Sequence, residues 1–151
     1  MLKKSRKGFK DSVQENGETI YFEWKESNLI RVIGKFATMN NNLTDSCRQN
    51  KSLIVTKNTM KYRGIRSIEK EFVCVQDIKM IEDILEIYPD YGLVMFDETI
   101  HPVNQREFYQ ALVKVTKKFE NVIFVWASQT KTTEKNGKAF FGEKNAFLRS
   151  I

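Results

Sequence analysis

Apolar positions along this chain change their spacing from one stretch to the next, and each change marks an element. Thr19-Ile20-Tyr21-Phe22-Glu23-Trp24 is rich in aromatic and β-branched residues and reads as a strand. Leu29-Ile30-Arg31-Val32-Ile33 reads either as a second strand or as part of a loop. Ser52-Leu53-Ile54-Val55-Thr56 and Glu71-Phe72-Val73-Cys74-Val75 are short apolar runs of strand length, with a short helix interrupted at Gly64 expected between them. After Asp77, the residues Met80, Ile81, Ile84, Leu85 and Tyr88 recur at helical spacing and stop at Pro89. Leu93-Val94-Met95-Phe96 is a continuous apolar run that ends in Asp97-Glu98. Asn104 stands where a helix cap belongs, before a stripe of Phe108, Leu112, Val115 and Phe119 with lysines on the other face. Residues 121–126 form the last strand of the pattern. Residues 38–48 are polar, with Asn40, Asn41 and Asn42 in a row, and read as a weak helix because asparagine competes with the helix through local hydrogen bonds.

Alternation of strand and helix from residue 51 to 126 predicts βαβ units and a parallel sheet. Continuously apolar strands agree, since strands of a parallel sheet are covered on both faces. The expected fold is therefore a three-layer α/β domain with a mainly parallel sheet of about five strands. The domain is expected over residues 18–130, between a basic flexible segment at 1–17 and a basic tail at 131–151.

Composition narrows the setting. In 151 residues, 41% of them hydrophobic, there is material for one domain with a single core. No apolar run approaches the ~20 residues that span a bilayer, so no membrane partner is expected. The first residues, Met1-Leu2-Lys3-Lys4-Ser5-Arg6-Lys7, lack the apolar segment of a signal peptide. Two cysteines are too few for a disulfide framework or a zinc site, and Cys74 sits in an apolar run like a small core residue. An intracellular location follows as the expectation, cytoplasmic, or nuclear or in a viral factory for a eukaryotic or viral source.

A net charge of +6 points toward polyanions. Lys3, Lys4, Arg6, Lys7 and Lys10 crowd the first ten residues, and Lys131, Lys135, Lys138, Lys144 and Arg149 recur in the tail. Lys57, Lys61, Arg63 and Arg66 form a third basic group without an acid in the same stretch. Such groups suit phosphate contact or, equally, solvation.

The acidic pair carries the clearest chemistry. Ligands of open α/β sheets bind at the carboxyl ends of the strands. An aspartate delivered there holds Mg²⁺ in nucleotide hydrolases, and a neighbouring glutamate polarises water. On that reading Asp97 is the metal residue and Asp97 with Glu98 the catalytic pair. Gly34-Lys35, after the first strands, is the candidate phosphate-binding element. A working phosphate loop has the form Gly-x-x-x-x-Gly-Lys-Ser/Thr, whereas Leu29 stands at the first glycine and Phe36 at the hydroxyl position. Leucine resists the backbone angles glycine supplies, and phenylalanine cannot ligate magnesium. No cofactor is expected, with ATP and Mg²⁺ entering only through a functional version of this degenerate loop. A relic acidic pair predicts that Asp97→Asn leaves stability unchanged or raises it slightly.

In their order, these elements resemble the first RecA-like (P-loop) domain of superfamily two helicases, closest to the origin-binding helicases of large DNA viruses. Leu93 to Glu98 resembles the Walker B strand. Ser52 to Lys57 and Phe72 to Asp77 resemble elements that touch the nucleic-acid backbone, and Val122 to Thr130 the strand ending in a small polar motif that links hydrolysis to DNA movement. His101 stands near the position where helicases often carry histidine after the acidic pair. The resemblance implies a RecA-like P-loop topology and backbone contacts from Lys57, Lys61 and Arg63 after one strand and from Gln129 and Lys131 after another. It also implies a role beside DNA or RNA, as in DNA replication, with a second motor domain or a replication protein as partner. Only 21 residues follow position 130, so unwinding by this chain alone is not expected. The leading expectation is a nucleic-acid-associated protein on a degenerate helicase-like fold. The alternatives are a Mg²⁺-dependent nucleotide hydrolase working with a partner chain and a protein-interaction scaffold.

Overall fold

The computed structural model describes residues 12–15, 18–34, 47, 49–97, 99–100 and 102–128. Over these the chain is α/β, with β1 (Ser12–Glu15), β2 (Glu18–Glu26), β3 (Leu29–Ile33), β4 (Ser52–Thr56), β5 (Arg66–Glu69), α1 (Gln76–Ile87), β6 (Leu93–Asp97), α2 (Gln105–Lys118) and β7 (Ile123–Ser128). The described strands form one seven-stranded sheet in the order β1-β2-β3-β7-β6-β4-β5. From β3 to β5 every pairing is parallel, while β1 and β2 add to the β3 side antiparallel. The mainly parallel sheet is thus present, extended by a hairpin that starts at Ser12, inside the segment expected to precede the domain.

Two clusters of apolar side chains fill the two faces. On one, Val55, Val94, Phe96, Phe124 and Trp126 meet Ile78, Ile81 and Leu85 of α1 and Phe108, Leu112 and Val115 of α2. Phe72, Phe96, Phe108 and Trp126 pack edge to face there, with successive ring centroids 5.4, 5.2 and 5.0 Å apart. Such contacts add about 0.5–1.5 kcal/mol each beyond their area. On the other face, Ile30, Val32, Ile54, Met95 and Val125 meet Cys47, Tyr62 and Ile65. Every residue of β4 and β6 is buried, which is why their runs are continuously apolar instead of alternating.

Asn28, in the tight turn between β2 and β3, fixes the end of α2. Its buried amide donates to the carbonyls of Thr116 at 2.9 Å, Phe119 at 3.0 Å and Val122 at 2.9 Å, at a helix end where carbonyls run out of intrahelical donors. Asn104 does precede α2, but it makes no side-chain cap; its amide donates to the Val73 carbonyl at 2.8 Å.

Three expectations change. The strand expected at 71–75 is absent: only Phe72 makes a bridge, to Ile100, and Val73, Cys74 and Val75 are exposed. The strand lies earlier, at Arg66–Glu69, preceded by a single 3-10 turn at Thr59–Tyr62 in place of the expected helix. Cys74 is consequently exposed, and Cys47 is the buried thiol. The weak helix expected at 38–48 falls outside the described residues except for Cys47.

Candidate functional site at the carboxyl edge of the sheet

Right-handed crossovers that run in opposite directions along a sheet lie on opposite faces. From β4 the chain moves outward to β5 over the face that holds Tyr62 and Ile65; from β6 it moves inward to β7 through α2 on the other face. The carboxyl ends of β4 and β6 therefore flank a topological switch point, the place where open α/β sheets bind ligands. Asp97 and Thr56 are the residues in register at that point.

Alternation along β6 turns Asp97 to the face shared by Met95 and Tyr62. The carboxylate is only 4% exposed, so its charge requires partners. Three side chains converge on the same oxygen, Oδ2: the Thr56 hydroxyl at 3.2 Å, the Lys61 ammonium at 3.4 Å, and the Tyr62 hydroxyl. Lys61 and Tyr62 come from the 3-10 turn after β4, and Thr56 also anchors that turn by accepting from the Asn58 N–H at 3.1 Å. The acidic strand end and the loop that follows β4 thus form one hydrogen-bonded unit.

Sequence reading anticipated Asp97 and Lys61 separately, one for a metal and one for nucleic acid; the fold joins them. Lys61 has only 23% of its side chain exposed, and its ammonium pairs with Asp97. Lys57 is exposed but paired with Glu71 at 3.0 Å, an acid supplied from beyond β5. The basic group around residues 57–66 is therefore partly neutralised across the fold, contrary to its acid-free appearance in sequence. Arg63 is exposed and has no ion pair among the described residues. Glu98, His101, Lys35, Gln129 and Lys131 lie outside the described residues.

Gly34 shows why a glycine follows β3. Its φ is +154°, and a Cβ there would lie 3.1 Å from the Thr19 carbonyl oxygen and 3.2 Å from Ile20. Glycine lets the backbone of β2 approach closely, so the residue is accounted for without a phosphate. Leu29 to Ile33 are sheet residues, and a phosphate loop beginning at Leu29 has no place in this backbone.

Mg²⁺ demands near-octahedral oxygen coordination. At Asp97 the Lys61 ammonium and two hydroxyls engage Oδ2, so an ion at that oxygen would compete with Lys61. Among the described residues no three His, Cys, Asp or Glu side chains gather as a metal site. Removal of the Asp97 charge takes a buried counter-charge from Lys61, so Asp97→Asn is expected to destabilise instead of being neutral or stabilising.

One buried charge escaped the sequence reading altogether. Arg31 in β3 is 1% exposed, with its guanidinium 4.4 Å from the Trp126 ring centroid and Nη1 donating at 3.3 Å to the carbonyls of Val32 and Trp126. Its Nε has no partner, and no carboxylate pairs with it among the described residues. Burial lowers its pKa well below the ordinary value, and the charge of Glu23 on β2 pulls the other way.

No protein-family model, curated protein or solved structure matches this chain.

Proposed function

We propose that this chain is a nucleic-acid-associated domain on a degenerate helicase-like, RecA-type sheet, without nucleotide turnover of its own. The observation that carries this reading is the distribution of cations after pairing. Lys51, Lys57 and Lys61 are answered by Asp90, Glu71 and Asp97, whereas Arg63 and Arg66 are exposed and have no ion pair among the described residues. In a chain of net charge +6, exposed arginines on the β4–β5 connection and at the start of β5 suit phosphates, which fix position on a strand without reading sequence. Neutralisation of Asp97 by Lys61 supports the absence of turnover, because the acid that would carry Mg²⁺ is already spoken for.

Fluorescence anisotropy with labelled single- and double-stranded oligonucleotides across a salt series tests the reading. Affinity is expected to fall about tenfold or more between about 50 and 200 mM salt, as neutralised phosphates release counterions. Arg63→Glu is expected to weaken binding and flatten the salt slope, and Lys117→Glu on the outer face of α2 to do less. Absence of binding at the lowest salt, or binding indifferent to salt, overturns it.

A further inference from the structure

The opposite edge of the sheet carries a cluster that the helicase resemblance does not use. Lys51 precedes β4, Arg66 opens β5, and Tyr88 and Tyr91 lie on the connection from α1 to β6, so all four meet at strand amino ends. The Arg66 guanidinium lies 5.2 Å from the Tyr88 ring centroid and 5.9 Å from that of Tyr91. The Lys51 ammonium is 5.0 Å from the Tyr91 ring, and the two tyrosine rings meet edge to face at 6.4 Å. Beside them opens a cavity of about 270 Å³ lined by Lys51, Ser52, Ile65, Arg66 and Tyr91 among others.

Three features of this cluster lack an internal explanation. Arg66 has no ion pair among the described residues, whereas Lys51 is answered by Asp90 at 2.7 Å. Tyr88 stays 42% exposed although Ile84 and Leu85, one turn before it, turn to the core. Tyr91 is 2% exposed, yet its hydroxyl has no hydrogen-bond partner among the described residues. A guanidinium plane beside an exposed ring is what a stacked base needs, and the cation adjoining it suits the next phosphate. The cavity is smaller than the roughly 300 Å³ at which sites for whole small molecules begin. Tyr88 does not line it, so a base stacked on Tyr88 lies at the surface beside the cavity, as on a strand that continues over the surface.

We propose that this amino edge is a single-stranded nucleic-acid subsite, where one unpaired base stacks on Tyr88 and Arg66 and its flanking phosphate meets Arg66 and Lys51. The proposal rests on the nucleic-acid reading above and gives that reading a place and a strand preference. A duplex keeps its bases stacked on one another and offers none to Tyr88.

The test is anisotropy of the full chain with a short labelled oligothymidylate, a mixed-sequence duplex as second probe, and thymidine monophosphate as competitor. Tyr88→Ala is expected to weaken oligothymidylate binding about tenfold without changing the salt slope, and Tyr88→Phe to restore it. Arg66→Ala is expected to weaken binding and to flatten the slope by about 0.7, one phosphate on a single strand. Thermal melting of each variant reports that the fold is kept. Wild-type affinity in both alanine variants, alongside loss in Arg63→Glu, overturns this subsite and leaves the nucleic-acid reading standing. Equal affinity for the duplex, or competition by the monophosphate at the concentration of the oligonucleotide, also overturns it. Absence of binding to either probe at low salt overturns both.

Discussion

The two edges of this sheet treat charge in opposite ways. At the carboxyl edge a buried acid, Asp97, is met by three donors, one of them the cation Lys61. At the amino edge a cation, Arg66, meets two aromatic rings and no acid among the described residues. A carboxylate whose Oδ2 is engaged by three side chains of its own chain serves the fold, whereas a guanidinium beside one exposed ring, Tyr88, and one buried ring, Tyr91, with no ion pair among the described residues, is available to a partner. The helicase resemblance draws attention to the first edge, which keeps one buried hydroxyl, that of Thr99, without a partner among the described residues; the unpaired guanidinium and the orphaned Tyr91 hydroxyl lie at the second.

Breaking the closed edge is expected to give the largest effect. Asp97→Ala takes a buried counter-charge from Lys61 and the shared acceptor from the Tyr62 and Thr56 hydroxyls, and is expected to cost about 3 kcal/mol in urea denaturation. Asp97→Asn keeps the shape, loses the charge, and is expected to fall between wild type and alanine. If either variant proves as stable as the wild type, the closed edge contributes no stability.

Next comes an alkaline signature from the amino edge. Cys47 borders the cavity there, and burial pushes its thiol up to about 12 from the ordinary 9.0. Between those values the folded chain keeps a proton that the unfolded chain has shed. Its contribution to stability is therefore complete below pH 9 and is lost as pH rises toward 12, by about 1.4 kcal/mol per pH unit. Cys47→Ala is expected to flatten that arm in denaturation measured against pH. A thiol reagent is expected to label exposed Cys74 well before Cys47.

Arg31 sharpens the comparison because it is a buried charge beside a ring, Trp126, but paired with no acid among the described residues and closed to solvent. Arg31→Met keeps much of the volume and removes the desolvation cost, with an expected gain of about 1–3 kcal/mol by denaturant midpoint. A loss of stability would mean that contacts to the Trp126 ring and carbonyl outweigh that cost.

Elements with strong periodicity were legible in sequence. The two helices follow from Ile81 and Leu85 and from Phe108, Leu112 and Val115, and β6 from its unbroken apolar run. Edge strands were not legible. Arg66–Glu69, with two charged residues in four and Ile68 as its one apolar residue, is half-covered, while the apolar run at Val73–Val75 mimics a strand but is exposed. Tyr88 fits the helical stripe by spacing, yet lies at the cap, where the stripe has turned to solvent. Asp97 was marked by its place at the end of an apolar run. Its link to Lys61 spans 36 positions and depends on the β4–β5 turn folding back over the sheet, which no local pattern encodes.

Magnesium decides most directly whether the carboxyl edge is closed. Thermal melting of the wild type and of Asp97→Asn, each titrated with millimolar MgCl₂ at constant ionic strength, reads specific binding as a saturable rise in Tm. With Lys61 in the place of a metal, Mg²⁺ is expected to produce no saturable rise in the wild type, and Asp97→Asn is expected to respond identically. A saturable rise in the wild type that Asp97→Asn abolishes would contradict the closed edge and return Asp97 to the role of a metal ligand.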